Sequence, residues 1–173
     1  MRKQQGFTLI ELVVVIIILG ILAVVAAPKF INLQSDARSS TLQGMKAALQ
    51  GANSLVYSKA MIAGLGKNAG ESVVIGKNNT ADISVTTDFG YLDSAVDSAT
   101  VKSNLEKAMD NTFEAIDGPD KVASEDFGVI YVSDASFIIV PKGKKGSDAC
   151  RVNYTPATST TVKPKYEITA SGC

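Results

Sequence analysis

Glu11 is the one charged side chain in the 21 residues from Phe7 to Ala27, a run otherwise made almost wholly of Val, Ile, Leu and Ala. A carboxylate in apolar surroundings is costly and calls for a partner that relieves its charge. The chemistry open to it is ion pairing rather than proton transfer. The chain has no histidine, which removes the commonest general base and metal ligand. No Cys-x-x-Cys, phosphate-binding loop or Gly-x-Gly-x-x-Gly stretch is present. Asp117, Asp120, Glu125 and Asp126 cluster around Gly118-Pro119. Such carboxylates can bind calcium, but the EF-hand spacing is missing and a solvated acidic turn is the simpler reading. No catalytic set and no metal or other cofactor is therefore expected, and the chain does not read as an enzyme.

Two cysteines, Cys150 and Cys173, lie at the far end of the chain. In an exported domain such a pair suggests one disulfide, with two free thiols as the alternative. The bond would tie down a terminus that otherwise frays. Lys142, Lys144 and Lys145 form a basic run just before it. A solvated turn accounts for that run more simply than an anionic partner does. With 17 basic against 17 acidic side chains overall, no specific nucleic-acid footprint is expected. The sequons Asn78-Asn79-Thr80 and Asn153-Tyr154-Thr155 are taken as chance.

The elements that position these groups follow from patterning. As a helix, Phe7–Ala27 spans roughly 32 Å at about 1.5 Å per residue. That matches a hydrocarbon core about 30 Å thick. Arg2 and Lys3 precede it, so the start of the chain stays cytoplasmic and the rest crosses. A cleaved signal peptide and a simple membrane anchor share these features. The run exceeds the usual apolar core of a signal peptide, roughly 7–15 residues. Its small-residue site at Val25-Ala26-Ala27 is also followed by Pro28, which disfavours the extended backbone a protease binds. Glu11 suits neither alternative. Gly20 weakens the helix and Pro28 removes a backbone donor, so a mild kink is expected there.

Beyond Pro28, apolar positions recur at three- and four-residue steps: Phe30, Leu33, Ala37, Thr41, Met45, Ala48, Ala52 and Leu55. One helix from Phe7 to about Met61 follows, ended by Gly64, Gly66 and Gly70. Residues 71–93 read as a loop with small strands at Val73–Ile75 and Ile83–Val85. A second helix is expected over Ala99–Phe113. Gly128–Val132 and Ser136–Val140 read as a hairpin, with further strands at Val152–Thr155 and Tyr166–Thr169.

Gly6-Phe7-Thr8-Leu9-Ile10-Glu11-Leu12, ahead of a spanning helix, resembles the processing motif of type IV pilins and related pseudopilins. The resemblance implies that residues 1–6 are a leader and that a prepilin peptidase/N-methyltransferase cuts between Gly6 and Phe7. The same enzyme would then methylate the new amine of Phe7. It implies that Glu11 pairs with that amine during assembly. It implies that the segment between the helix interruptions Gly20 and Pro28 melts in the filament. It also implies an α+β fold: a long N-terminal α-helix, residues 7–61, with 7–27 as membrane span and filament core, packed on an antiparallel sheet. The head then covers 62–173, with a disulfide-bounded surface region at 150–173.

The partners implied are further copies of the chain, the inner membrane before assembly, a pilus assembly platform, and a host or surface receptor. The place implied is the inner membrane and then an extracellular filament, for attachment, biofilm formation or motility. Ala27–Ala60 further resembles pilins of the mannose-sensitive haemagglutinin type. A pseudopilin of a type II secretion system, and an anchored binding domain that never polymerises, are the alternatives.

Overall fold

The computed structural model describes residues 6–94, 96–133 and 135–173, with the side chains of 30–32 excepted. Arg2, Lys3 and the rest of the leader before Gly6, and the side chain of Phe30, lie outside the described residues. The chain divides into two compact units, Met1–Ala37 and Arg38–Cys173. Helix α1, Leu9–Ala63, supplies most of the first unit and the opening element of the second. It starts two residues later than the sequence suggests and ends two residues later.

In the second unit α1 buries Leu42, Met45, Leu49, Ala52, Val56 and Ala60, at steps of three and four. This corrects the face read from the sequence. Met45 and Ala52 are on it, whereas Leu33, Ala37, Thr41, Ala48 and Leu55 are exposed. Positions 41, 45, 48, 52 and 55 and positions 42, 45, 49, 52 and 56 obey the same period and differ only by a rotation. The core takes the face that presents bulky Leu42 and Leu49 in place of Thr41 and Ala48.

That face packs against Val85 and Leu92, against Val101 and Leu105 of a second helix, and against Val129, Phe137, Ile139, Val152 and Tyr154. Strands β1 (Glu71–Asn78), β2 (Ala81–Asp88) and β3 (Tyr91–Leu92) form an antiparallel three-stranded sheet. The stretch expected to be mostly loop is thus a regular hairpin. Its alternation is hidden by a bulge between Val74 and Gly76. Helix α2 covers Ser98–Ala108, capped by Asp97, whose side chain accepts from the Thr100 amide at 2.7 Å. It stops short of the expected Phe113. Asp110, Asn111 and Thr112 favour local bonds over a helix, and the extended chain after Ala108 still buries Met109 and Phe113.

A second sheet has the order β4-β5-β6-β7-β8: Glu114–Ala115, Phe127–Ser133, Ser136–Pro141, Arg151–Thr155 and Lys165–Thr169. All its pairings are antiparallel except β4 with β5. Alternate residues of its central strands serve two cores. Val129, Phe137 and Ile139 face the helices, while Ile130, Ile138 and Val140 join Ile116 and Ala123 on the other side. Burial on both faces is why Phe137–Val140 reads as one continuous apolar run.

The candidate assembly segment

Glu11 belongs to a capping box. Its Oε2 accepts from the Thr8 amide at 2.9 Å and from the Thr8 hydroxyl at 2.7 Å. The Thr8 Oγ1 in turn accepts from the Glu11 amide at 3.4 Å. Thr8 is the N-cap and Glu11 the third helical residue, so two orphan donors of the first turn are satisfied reciprocally. The Thr-x-x-Glu spacing of this box is visible in the sequence. The carboxylate is exposed and placed at the helix start, where the positive end of the helix dipole favours it.

From Leu9 to Val25 every side chain is exposed. Large ones include Leu9 at 79%, Ile21 at 63% and Val24 at 76%. No face of this segment is reserved for an intramolecular core. It is the single helix among the described residues long and apolar enough to cross a membrane. The helix runs unbroken through Gly20 and Pro28. Gly6 and Gly20 both have open space where a side chain would begin.

At the other end of the chain, Cys150 and Cys173 are joined by a disulfide, with Cα atoms 4.8 Å apart. The terminus it holds is bound three more times. The Gly172 amide donates to Ala149 O at 2.8 Å, Lys144 Nζ donates to Gly172 O, and Arg38 Nη1 donates to Cys173 O at 3.4 Å. Lys144 is therefore a structural contact as well as part of a basic turn. Asp117, Asp120, Glu125 and Asp126 are all exposed, and among the described residues no three Asp, Glu, Cys or His side chains gather as a metal site.

Asn53 is a residue whose role the sequence hides. Fully buried on α1, it donates from Nδ2 to Tyr166 Oη at 2.7 Å and to Tyr154 Oη at 3.2 Å. Its Oδ1 accepts from the Leu92 amide at 2.8 Å. The Tyr154 hydroxyl donates onward to Leu92 O. One amide thus ties the helix to both sheets. Burial raises the Tyr154 hydroxyl well above its ordinary range and pushes Tyr166 up to about 12.

Comparison with known proteins gives the N-terminal segment its context. The family described as the prokaryotic N-terminal methylation motif matches residues 1–27. The chain is 38% identical over 58 residues to the type IV narrow pilus major component PilA5 of Thermus thermophilus, covering 34% of this chain and 50% of that protein. It is 40% identical over 57 residues to the type IV major pilin protein PilA of Myxococcus xanthus, covering 33% and 26%. It is 34% identical over 105 residues to fimbrial protein Q of Moraxella bovis, covering 61% and 57%. The matched region spans less than two thirds of each of these relatives. No solved structure matches. By motif and by relatives, the first third of the chain is similar to type IV pilin sequence, and a long helix packed on an antiparallel sheet gives a pilin-like α+β architecture.

Proposed function

We propose that this chain is the structural subunit of a type IV pilus and has no enzymatic role. Residues 1–6 are its leader. A prepilin peptidase cuts between Gly6 and Phe7 and methylates the new amine. Residues 7–27 hold the subunit in the inner membrane until an assembly platform adds it to a growing filament. Residues 62–173 form the head, whose disulfide-bounded region is residues 150–173, with Cys150, Val152 and Tyr154 buried in its core and the exposed residues of the region at its surface. The filament then serves attachment, biofilm formation or motility outside the cell. The narrower likeness to haemagglutinin-type pilins rests on Ala27–Ala60 and belongs to this proposal.

The observation that carries the reading is the exposed apolar coat of Leu9–Val25, with Glu11 as its one charge. A surface of that kind is stable only in lipid or against copies of itself. Cutting before Phe7 would place an ammonium four residues ahead of Glu11, within reach of the same helix face. The carboxylate now bound to the neutral Thr8 donors would then have a charged competitor, and charge-assisted bonds are the stronger kind. Pairing with a neighbour's amine also sets register, since other offsets leave a bare charge in apolar surroundings. Gly20 to Pro28 is the stretch that would unwind. Extended chain rises about 3.3 Å per residue against 1.5 Å for helix, so unwinding lengthens the subunit.

Electron microscopy of a strain lacking the gene tests the proposal. Loss of surface filaments is expected, and their return on complementation. Intact filaments with blocked protein export would favour the pseudopilin reading and overturn this one.

A further inference from the structure

Helix α1 closes with a turn that leaves one methionine in an unusual place. Gly64 stands just past the helix with φ at +76°. Its amide donates to Met61 O at 3.2 Å, and the Leu65 amide donates back to Ala60 O at 2.9 Å. These two bonds form a Schellman motif, which needs a residue that tolerates positive φ. Gly66 follows and is buried. A Cβ added to it would stand 2.5 Å from Met61 Sδ, so the thioether lies against the Gly66 backbone.

The loop beneath this thioether is also tied to the turn between β2 and β3. Asn68 O accepts from the Phe89 amide at 2.9 Å. Asp88 Oδ1 accepts from the Gly70 amide at 3.0 Å. A Cβ on Gly90 would stand 3.4 Å from Gly66 Cα. Phe89 itself has φ at +51°, which is costly for a bulky residue and persists only where neighbours enforce it. The bond to Asn68 is one such restraint.

Met61 differs from the other methionines among the described residues. Met45 and Met109 are 4% and 7% exposed, whereas Met61 is 50% exposed. Met61 is thus open to a small solute while its sulfur helps hold a buried glycine.

We propose that Met61 is an oxidation site for hydrogen peroxide, and that its sulfoxide releases the Gly64–Gly70 loop from the β2–β3 turn. A sulfur lone pair attacks one peroxide oxygen, the O–O bond breaks, and an S–O bond forms. The displaced oxygen takes up the remaining proton and leaves as water. Sulfur is oxidised and peroxide reduced, with no further reactant. The sulfoxide is polar where the thioether was apolar. Its oxygen draws water, which separates the side chain from Gly66. Movement of Gly66 then reaches Phe89 through Gly90 and Asn68. The site concerns the head alone and does not rest on the assembly reading.

The test treats the full chain, in phosphocholine micelles, with hydrogen peroxide. Peptide mass spectrometry should find one oxygen added at Met61 at least tenfold faster than at Met45 or Met109. In the singly oxidised protein, NMR should show shifted amides at Gly66 and Phe89, and Phe89 amide exchange should rise at least fivefold. Met61→Leu keeps an apolar side chain of similar volume, so the fold should survive. Peroxide should leave the Gly66 and Phe89 amides of that variant unchanged. Equal oxidation rates at the three methionines overturn the proposal. So do unmoved amides at Gly66 and Phe89 after oxidation, or the same shifts in peroxide-treated Met61→Leu.

Discussion

Two stretches of one helix, Leu9–Val25 and Leu42–Ala60, carry apolar residues in different arrangements. In the first every side chain is exposed, and the apolar coat runs all the way round. In the second a stripe of Leu42, Met45, Leu49, Ala52, Val56 and Ala60 is buried and the flanks are polar. A stripe finds its partner within the same chain, and a full coat must find it elsewhere. On the proposed function, the first segment serves a membrane or other copies and the second holds the head. Removing a side chain from the first should affect assembly and leave the head's stability alone. The second should behave the other way.

The largest contrast is expected from Glu11→Ala. Filament yield, measured by shearing and electron microscopy, should collapse, while the thermal melting of the purified chain should stay within a degree or two. A normal filament yield would break the comparison.

Next in size is the terminal staple. Replacing Cys150 and Cys173 together by serine should destabilise the head by about 3 kcal/mol, read from denaturant midpoints, because the bond closes a loop of some twenty residues. The paired substitution Leu49→Ala and Leu55→Ala then sharpens the face. Leu49 is fully buried and its loss should cost about 3 kcal/mol. Leu55 is 55% exposed, and its loss should cost the head less than about 0.5 kcal/mol. Equal costs would restore the face first read from the sequence.

The smallest effect is the response to alkaline pH. Tyr154 and Tyr166 are raised in the folded state chiefly by burial, so the fold holds their protons more tightly than the unfolded chain does. Their contribution is fully present below the unfolded value near 10 and is lost as pH rises from there toward about 12 and beyond. Melting temperature should begin to fall near pH 10, and Tyr166→Phe should weaken that fall.

The sequence is most legible where one physical requirement dominates. A membrane core demands apolar residues throughout, so the segment from Phe7, its single carboxylate and the resemblance they carry were all visible. The hairpin of β5 and β6 was visible because burial on both faces leaves an uninterrupted apolar run. The rotation of the helical stripe was not, because Leu55 and Val56, or Ala48 and Leu49, satisfy the period equally well until a sheet chooses between them. The β1–β2 hairpin was blurred by its bulge. Asn53 reads as an ordinary polar helix residue, since its partners Leu92, Tyr154 and Tyr166 lie 39 to 113 positions away.

Mass spectrometry of the protein recovered from cells tests the central claim most directly. The mature chain should begin at Phe7, carry one added methyl group, and lack two hydrogens because Cys150 and Cys173 are joined. A chain beginning at Pro28 would show that the apolar segment is discarded, and would contradict the account.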